Sequence, residues 1–454
     1  MLKTLKRELT FTDAVMINLG AIIGAGIFVI IGIAAGAAGP SIVASIAISA
    51  VISILTGLSF SEIASHVAKE GGVYEYAKDA LAPSAGFLGG WLWSFGNMIA
   101  VAAVSLSLGG YINILLGLSL KEGYYAVAAI LIFMIVNILG IKNSAKTIKL
   151  LVFVNVAVLA LFVVVGLFFF HASNFSDFTP SGINGMLAGS AIIFFAFTGF
   201  SRVTTVSSEV KNAEKVIPKA IIASIAISTA IYIAVAAIAV GLVPYTALMH
   251  SASPLSTAIG ATGIGALAKI IAIGGIAATA GVVLTGILGV SRVFFAMGRD
   301  SELPRNLSKL DRFSTPINSI VISGMVSIVF IIVTSFGTIV EASNVAVLSA
   351  YAIINITAFN MWLKLRKRAG NGTHLRERKY FAVIPILGFV STISIITYLN
   401  IASIGMVLGI LAIGVVYYAH KLSLASKGFE RAISKVVPVI SEVREFGRSR
   451  MERR

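Results

Sequence analysis

Cysteine is absent from this chain, and charge is scarce: Asp, Glu, Lys and Arg make up only 12% of its 454 residues. Without thiols there are no disulfides, no thiolate catalysis and no cysteine-based metal sites. A soluble domain carries roughly 25% charged residues, so a chain that is 57% hydrophobic is read as an integral membrane protein. Also missing are paired-Asp motifs, H-E-x-x-H and a P-loop lysine, the constellations a membrane enzyme would need. No metal site and no cofactor are expected. A signal peptide with a small-residue cleavage site is not evident at Met1–Thr10, which runs straight into an apolar segment.

What the chain does have is apolar runs, at 11–38, 40–65, 84–113, 124–141, 148–171, 184–208, 216–243, 265–297, 317–336, 342–363, 380–400 and 402–420. Each approaches the ~20 residues that a transmembrane helix needs, which predicts about twelve spans. With both termini placed in the cytoplasm, all of the 35 Lys and Arg except Lys121, Arg202 and Lys269 fall in cytoplasmic segments or at cytoplasmic span ends. The net charge of +16 is therefore a positive-inside pattern rather than a footprint for nucleic acid.

Two spans carry breaks. In the first, Gly20, Gly24 and Gly26 lie within seven residues, and glycine is a poor helix former. Broken backbone at membrane depth is tolerated only where protein or a watery cavity surrounds it, and some secondary transporters hold their substrate at such a break. The sixth span contains Phe194-Phe195-Ala196-Phe197-Thr198-Gly199-Phe200-Ser201-Arg202. Spans 1 and 6 open two consecutive sets of five with opposite direction, which fits a 5+5 inverted repeat. The expected organisation is a cytoplasmic N-terminus (1–10), repeat 1 (11–175), repeat 2 (176–368), two additional spans (369–420) and a basic tail (421–454). Phe429, Ile433, Val436, Ile440 and Val443 are spaced helically in that tail, which is read either as lying on the anionic inner leaflet or as solvated.

Several segments resemble one family. Ile23-Gly24-Ala25-Gly26-Ile27-Phe28 is similar to the first-helix G-x-G-I-F motif of the amino acid–polyamine–organocation superfamily. Glu70-Gly71-Gly72-Val73-Tyr74-Glu75-Tyr76 resembles the loop after helix 2, without its usual proline. Gly86-Phe87-Leu88-Gly89-Gly90-Trp91 resembles the start of helix 3. Glu209 to Ala220 is similar to the E-V-K-N-P-x-x-x-I-P-x-A loop, and Ser291 to Pro304 to the stretch ending helix 8, with Thr315-Pro316 following. The resemblance covers about residues 10–420. It implies an all-α membrane protein of the LeuT type, with amino acids or amines as substrates. The accessory subunit that part of the family tethers through cysteine cannot be covalently attached here.

An amino acid is a zwitterion, and the protein must replace its hydration. Amides at a half-helix N-terminus suit a carboxylate, and unwound carbonyls suit an ammonium. The carboxylate is assigned to the amides of Gly24, Ala25 and Gly26. By resemblance, the ammonium faces carbonyls near Ile22 or Ile23 and around Phe195, Ala196 and Thr198, with Gly199, Phe200 and Ser201 completing the site. The same glycines would also serve close helix packing.

Arg202 sits deep in a span, where a guanidinium is costly unless paired or hydrated. It either acts on substrate or pairs structurally with Glu209, Asp13 or Glu62. Many relatives carry an acid just after the Gly-Phe pair. Ser201-Arg202 in that place puts cationic substrates in doubt and favours neutral or acidic ones. For coupling, proton-coupled relatives often carry a lysine midway along helix 5, whereas Asn155 stands in this part of the chain. A sodium site would use helix 1 carbonyls with Thr279 or Thr285. The partners expected are thus an amino acid, membrane lipids and either a proton, a sodium ion or no co-ion, as in an exchanger. The rival reading is an inorganic-ion channel or transporter, which would need rings of carbonyls or charges. Trp91, Trp93, Tyr124, Tyr125 and Tyr245 read as interfacial belt residues.

Overall fold

The computed structural model describes residues 7–423 except 25, 68, 119, 250, 252, 334–335 and 370–381. Ala25 and the apolar positions of the tail from Phe429 to Val443 therefore lie outside the described residues.

A helix lies over each of the twelve apolar stretches. The first is interrupted: α1 (Phe11–Ile22), a π-helical turn (Gly26–Ile30) and α2 (Ile31–Ala38) share it. Then follow α3 (Ile42–Ala64), the short α4 (Val73–Ala80), α5 (Pro83–Leu116), α6 (Glu122–Ile138) and α7 (Ile141–Leu167). The sixth stretch begins as α8 (Gly182–Ile193) and continues as a 3-10 helix (Phe194–Glu209). After it come α9 (Ala213–Leu242), α10 (Tyr245–Met249), α11 (Pro254–Gly260), α12 (Gly265–Arg299), α13 (Ile317–Val333), α14 (Phe336–Ala369), α15 (Val383–Ile396) and α16 (Ile401–Ser423). Among the described residues, 8 helical segments are long and apolar enough to cross a bilayer, and Phe11–Ala64, at 54 residues, is well over twice the ~20 residues needed. That segment is divided at Gly39, whose φ of +64° few side chains tolerate, and at Pro40.

α5 runs through the centre, packed along α12 and α14, while α3 packs on α8 and α9. Small residues make the second contact close. Ser45 and Ser49 donate across it to the carbonyls of Met186 (2.7 Å) and Ser190 (2.8 Å), as polar glue between apolar helices.

The start of α1 is pinned by its own sequence. Thr10 and Asp13 form a capping box, and Asp13 also pairs with Lys149 of α7 at 2.6 Å. Just before it, Leu9 makes a parallel bridge to Val210. The Leu9 amide donates to the Glu209 carbonyl (2.9 Å) and the Lys211 amide to the Leu9 carbonyl (2.9 Å). The beginning of the broken first stretch is thus tied to the end of the 3-10 segment.

Candidate functional site

Helical geometry fails after Ile22 because Ile23 adopts ψ +84° and the glycines on either side of residue 25 resist no such turn. The sixth stretch departs differently. It tightens to 3-10 geometry over 16 residues and kinks at Val206 (φ −111°, ψ 23°), far beyond the three or four residues usual for 3-10. Its composition supplies the reason: hydroxyls of Thr198, Thr204, Thr205 and Ser207 donate to the carbonyls three residues earlier, at 2.7–2.9 Å, an arrangement that competes with α geometry. Phe195, Ala196, Thr198, Gly199, Phe200 and Ser201 all lie in this segment.

The two irregular segments touch backbone to backbone. A Cβ built on Gly26 would lie 2.3 Å from the Ala196 Cβ and 2.4 Å from its Cα. One built on Gly199 would lie 2.3 Å from the Ala21 carbonyl carbon and 2.6 Å from the Ile22 amide nitrogen. Gly24 faces Val282 of α12, 2.2 Å from where its Cβ would be. These glycines permit contact between the interrupted helices, so the close-packing role holds in this conformation.

Around that junction every carbonyl assigned to an ammonium has a side-chain donor. The Tyr232 hydroxyl of α9 lies 2.5 Å from the Ile22 oxygen and 3.1 Å from the Ala196 oxygen. Asn155 of α7 donates through Nδ2 to the Ile23 oxygen (2.7 Å). Thr198 Oγ1 donates to the Phe195 oxygen (2.9 Å). Tyr351 of α14 donates to the Thr198 oxygen and is joined to Ser201 Oγ (2.9 Å), which also receives the Trp93 Nε1–H (3.3 Å). The Gly24 amide donates to the Ile22 oxygen (2.9 Å). The protein's own donors thus serve the polar backbone that a zwitterion would meet, and a carbonyl's second lone pair remains for a ligand.

Tyr232 has one proton for two carbonyls on different segments, so it latches the junction. Tyr232→Phe is expected to lower substrate uptake about tenfold while the protein stays folded, since a lost buried hydrogen bond costs about 1–3 kcal/mol. Uptake kinetics check this, and an unchanged rate would remove Tyr232 from the junction's working parts.

Phe200 packs with Phe60 (5.8 Å between centroids) and Tyr351 (5.0 Å), and Phe60 with Tyr351 (5.3 Å). This aromatic layer lies toward the Glu209 end of the segment. Beyond it is a layer of charge. Glu209 pairs with Arg292 at 3.0 Å. Arg299 pairs with Glu70 and Glu75, and Lys78 with Asp300. Burial pushes the Asp300 carboxyl up, but hydrogen bonds from Lys78, Arg299 and Tyr74 outweigh it and hold it below the usual carboxylate range. For Glu75 burial wins over Lys78 and Arg299, and its carboxyl is raised.

Arg202 does not pair with the carboxylates expected of it. Glu209 is taken by Arg292 and Asp13 by Lys149, and the Arg202 guanidinium turns instead to Asn97, 2.6 Å from Nη2. Thr279 and Thr285 donate within α12, to the carbonyls of Gly275 (2.7 Å) and Gly281 (2.8 Å), and the lone pairs of each hydroxyl oxygen stay free of that bond. Trp93 is a correction: it is 1% exposed and belongs to the site, not to an interfacial belt. Tyr232 and Tyr351 are functional residues that no sequence motif marks, although a tyrosine in mid-span signals a buried hydroxyl in need of a partner. A cavity of about 480 Å³, lined by Ile48, Ile52, Leu187 and Tyr398 among others, lies between α3, α8 and the end of α15. It does not include the junction residues.

Residues 13–422 match the model of a family described as amino acid permease. The chain is 31% identical to the branched-chain amino acid permease BcaP of Bacillus subtilis (strain 168), over 92% of this chain and 93% of that one. It is 31% identical to the methylthioribose transporter of the same organism, over 85% and 87%. It is also 31% identical to cationic amino acid transporter 4, vacuolar, of Arabidopsis thaliana, over 78% and 62%.

Proposed function

The chain belongs to the amino acid permease family, a multi-pass membrane transporter and not an enzyme, and from that premise we propose that it is a secondary transporter of the plasma membrane carrying neutral amino acids by alternating access. The observation that carries this reading is the backbone contact of two interrupted helices, Gly26 on Ala196 and Gly199 on Ala21, amid carbonyls within reach of an ammonium. In the proposed arrangement spans 1–5 (11–175) and 6–10 (176–368) form LeuT-type inverted repeats, with two further spans over 369–420. Both termini are cytoplasmic. The amides about Gly24, Ala25 and Gly26 then take the carboxylate, and carbonyls of Ile22, Ile23, Phe195, Ala196 and Thr198 take the ammonium.

Three features bear on the substrate side chain. The adjoining surfaces are apolar and aromatic, from Phe195 and Phe200. The position that would attract a cation carries Ser201, followed by Arg202, whose charge repels one. A relative over nearly the whole chain is named a branched-chain amino acid permease. Together they favour a branched aliphatic amino acid over a cationic one. Uptake of labelled leucine or isoleucine into proteoliposomes, competed by the other neutral amino acids and not by lysine, tests the reading. Saturable uptake of lysine alone would overturn the substrate class.

A second reading, exchange without a co-ion, has its own support. Asn155 occupies the place beside the Ile23 carbonyl, and an amide does not change charge between pH 5 and 8. Collapse of imposed proton and sodium gradients is therefore expected to leave initial uptake nearly unchanged, while internal unlabelled substrate accelerates it. Asn155→Lys is expected to make uptake pH-dependent. Uptake that stops when either gradient is removed would contradict exchange.

A further inference from the structure

The seat of Arg202 is built, yet its charge is unbalanced. The side chain is 3% exposed. Asn97 takes Nη2 at 2.6 Å, and the Asn97 amide is itself oriented by donating to the Trp93 carbonyl at 2.7 Å. The Trp93 ring lies under the guanidinium, 5.0 Å from centroid to Cζ, held by its own bond to Ser201. On the third side only a glycine fits: a Cβ on Gly289 would be 2.7 Å from Arg202 Cδ and 2.9 Å from Nη1. The partners are neutral. Nε and Nη1 have no hydrogen-bond partner, and among the described residues no carboxylate forms an ion pair with this cation. A lone buried charge is strongly unfavourable, and a functional group of this kind within a membrane points to a ligand.

We propose that Arg202 forms a binding site for a small anion, which accepts a hydrogen bond from one of the two unpartnered donors, Nε–H or Nη1–H, and adjoins Ser201 and Tyr351. The shared chemistry is a single compact negative charge that accepts an N–H from a buried guanidinium and balances its charge. Two sources supply it: a halide from solution, or the side-chain carboxylate of a dicarboxylic amino acid lying along Thr198–Ser201. The carboxylate arm rests on the transporter reading, whereas the halide arm does not.

The test is thermal unfolding of the purified full-length protein in sodium gluconate, an anion too large for so enclosed a seat. Chloride or bromide is exchanged in at constant ionic strength. In parallel, L-glutamate is compared with L-glutamine and L-aspartate with L-asparagine, and leucine serves as a control. A ligand bound only to the folded state raises Tm saturably, here by about 2–5 °C at high occupancy. The wild type is expected to respond to a halide or to favour a dicarboxylate over its amide. Arg202→Gln is expected to lose that response and to start out more stable in gluconate than the wild type, with the gap closing as the anion is added. Arg202→Lys keeps the charge without the fixed planar donors of a guanidinium and is expected to respond more weakly than the wild type. The wild-type titration stands without either variant. If neither anion source shifts Tm while leucine does, the anion site is overturned and the permease reading stands. A halide shift without any amino acid response leaves the site standing and removes that reading.

Discussion

Gly26→Val is expected to abolish uptake, by at least about 100-fold, while leaving a folded protein that can be purified. The valine Cβ would occupy the place of the Ala196 backbone, 2.4 Å from its Cα, and no rotamer relieves a clash at Cβ. Overpacking costs about 1–3 kcal/mol where side chains can give way. Here backbone must move, so the upper end applies, equivalent to about 100-fold in an equilibrium. The cost falls on the conformation in which the two interrupted helices meet, a state of the proposed alternating-access cycle. The rest of the fold, held by α5, α12 and α14, does not depend on that contact. Gly260→Ala is the matched control, because a Cβ there meets nothing within 4 Å. Uptake per milligram of monodisperse protein reads both variants. Normal uptake by Gly26→Val would separate the first helix from transport.

The largest effect on stability is expected at Glu209 and Arg292. Their side chains are 1% and 0% exposed and meet at 3.0 Å. The Glu209 carbonyl also receives the amides of Glu8 and Leu9, so this point joins the chain's start, the 3-10 segment and α12. Removing one member of a buried pair leaves the other charge stranded and costs about 3–5 kcal/mol. Glu209→Gln should therefore lower Tm sharply and reduce the yield of folded protein, since Arg292 would keep only Ser291 Oγ (3.1 Å) and a neutral amide as partners. Replacing both by apolar residues of similar volume, as in Glu209→Leu with Arg292→Met, is expected to recover most of the loss, because the pair's desolvation roughly cancels its attraction. Equal instability of the single and double variants would show that the pair matters through something other than its charges.

The contrast between Arg202–Glu209 and Glu209–Arg292 shows where sequence reading stops. Seven residues are nearly two turns of an α-helix and place both side chains on one face. In a 3-10 helix with three residues per turn they lie about 120° apart, and Glu209 reaches α12 instead. Nothing in a span's hydropathy announces that change of pitch, although the run Thr204-Thr205-Val206-Ser207-Ser208, rich in hydroxyls, is its local cause. The break near Gly24 was legible, because clustered glycines act on their own backbone. The twelve apolar stretches were legible for the same kind of reason: length and apolarity are properties of the stretch alone. Trp93, Tyr232 and Tyr351 were not, since their importance comes from which carbonyl lies opposite. The meaning of Gly26 and Gly199 was half legible. Close approach was expected of both, whereas approach to each other's helix depends on tertiary geometry.

The most direct test of the account is ligand-induced thermal stabilisation of the purified protein, screened across the twenty amino acids for the wild type and for Gly26→Val. A zwitterion held between the two interrupted helices binds the folded state alone and raises Tm. The account predicts a rise with leucine, isoleucine or valine, none with lysine or arginine, and none with any amino acid in Gly26→Val. A wild type that no amino acid stabilises, or a Gly26→Val protein that responds as the wild type does, would contradict it.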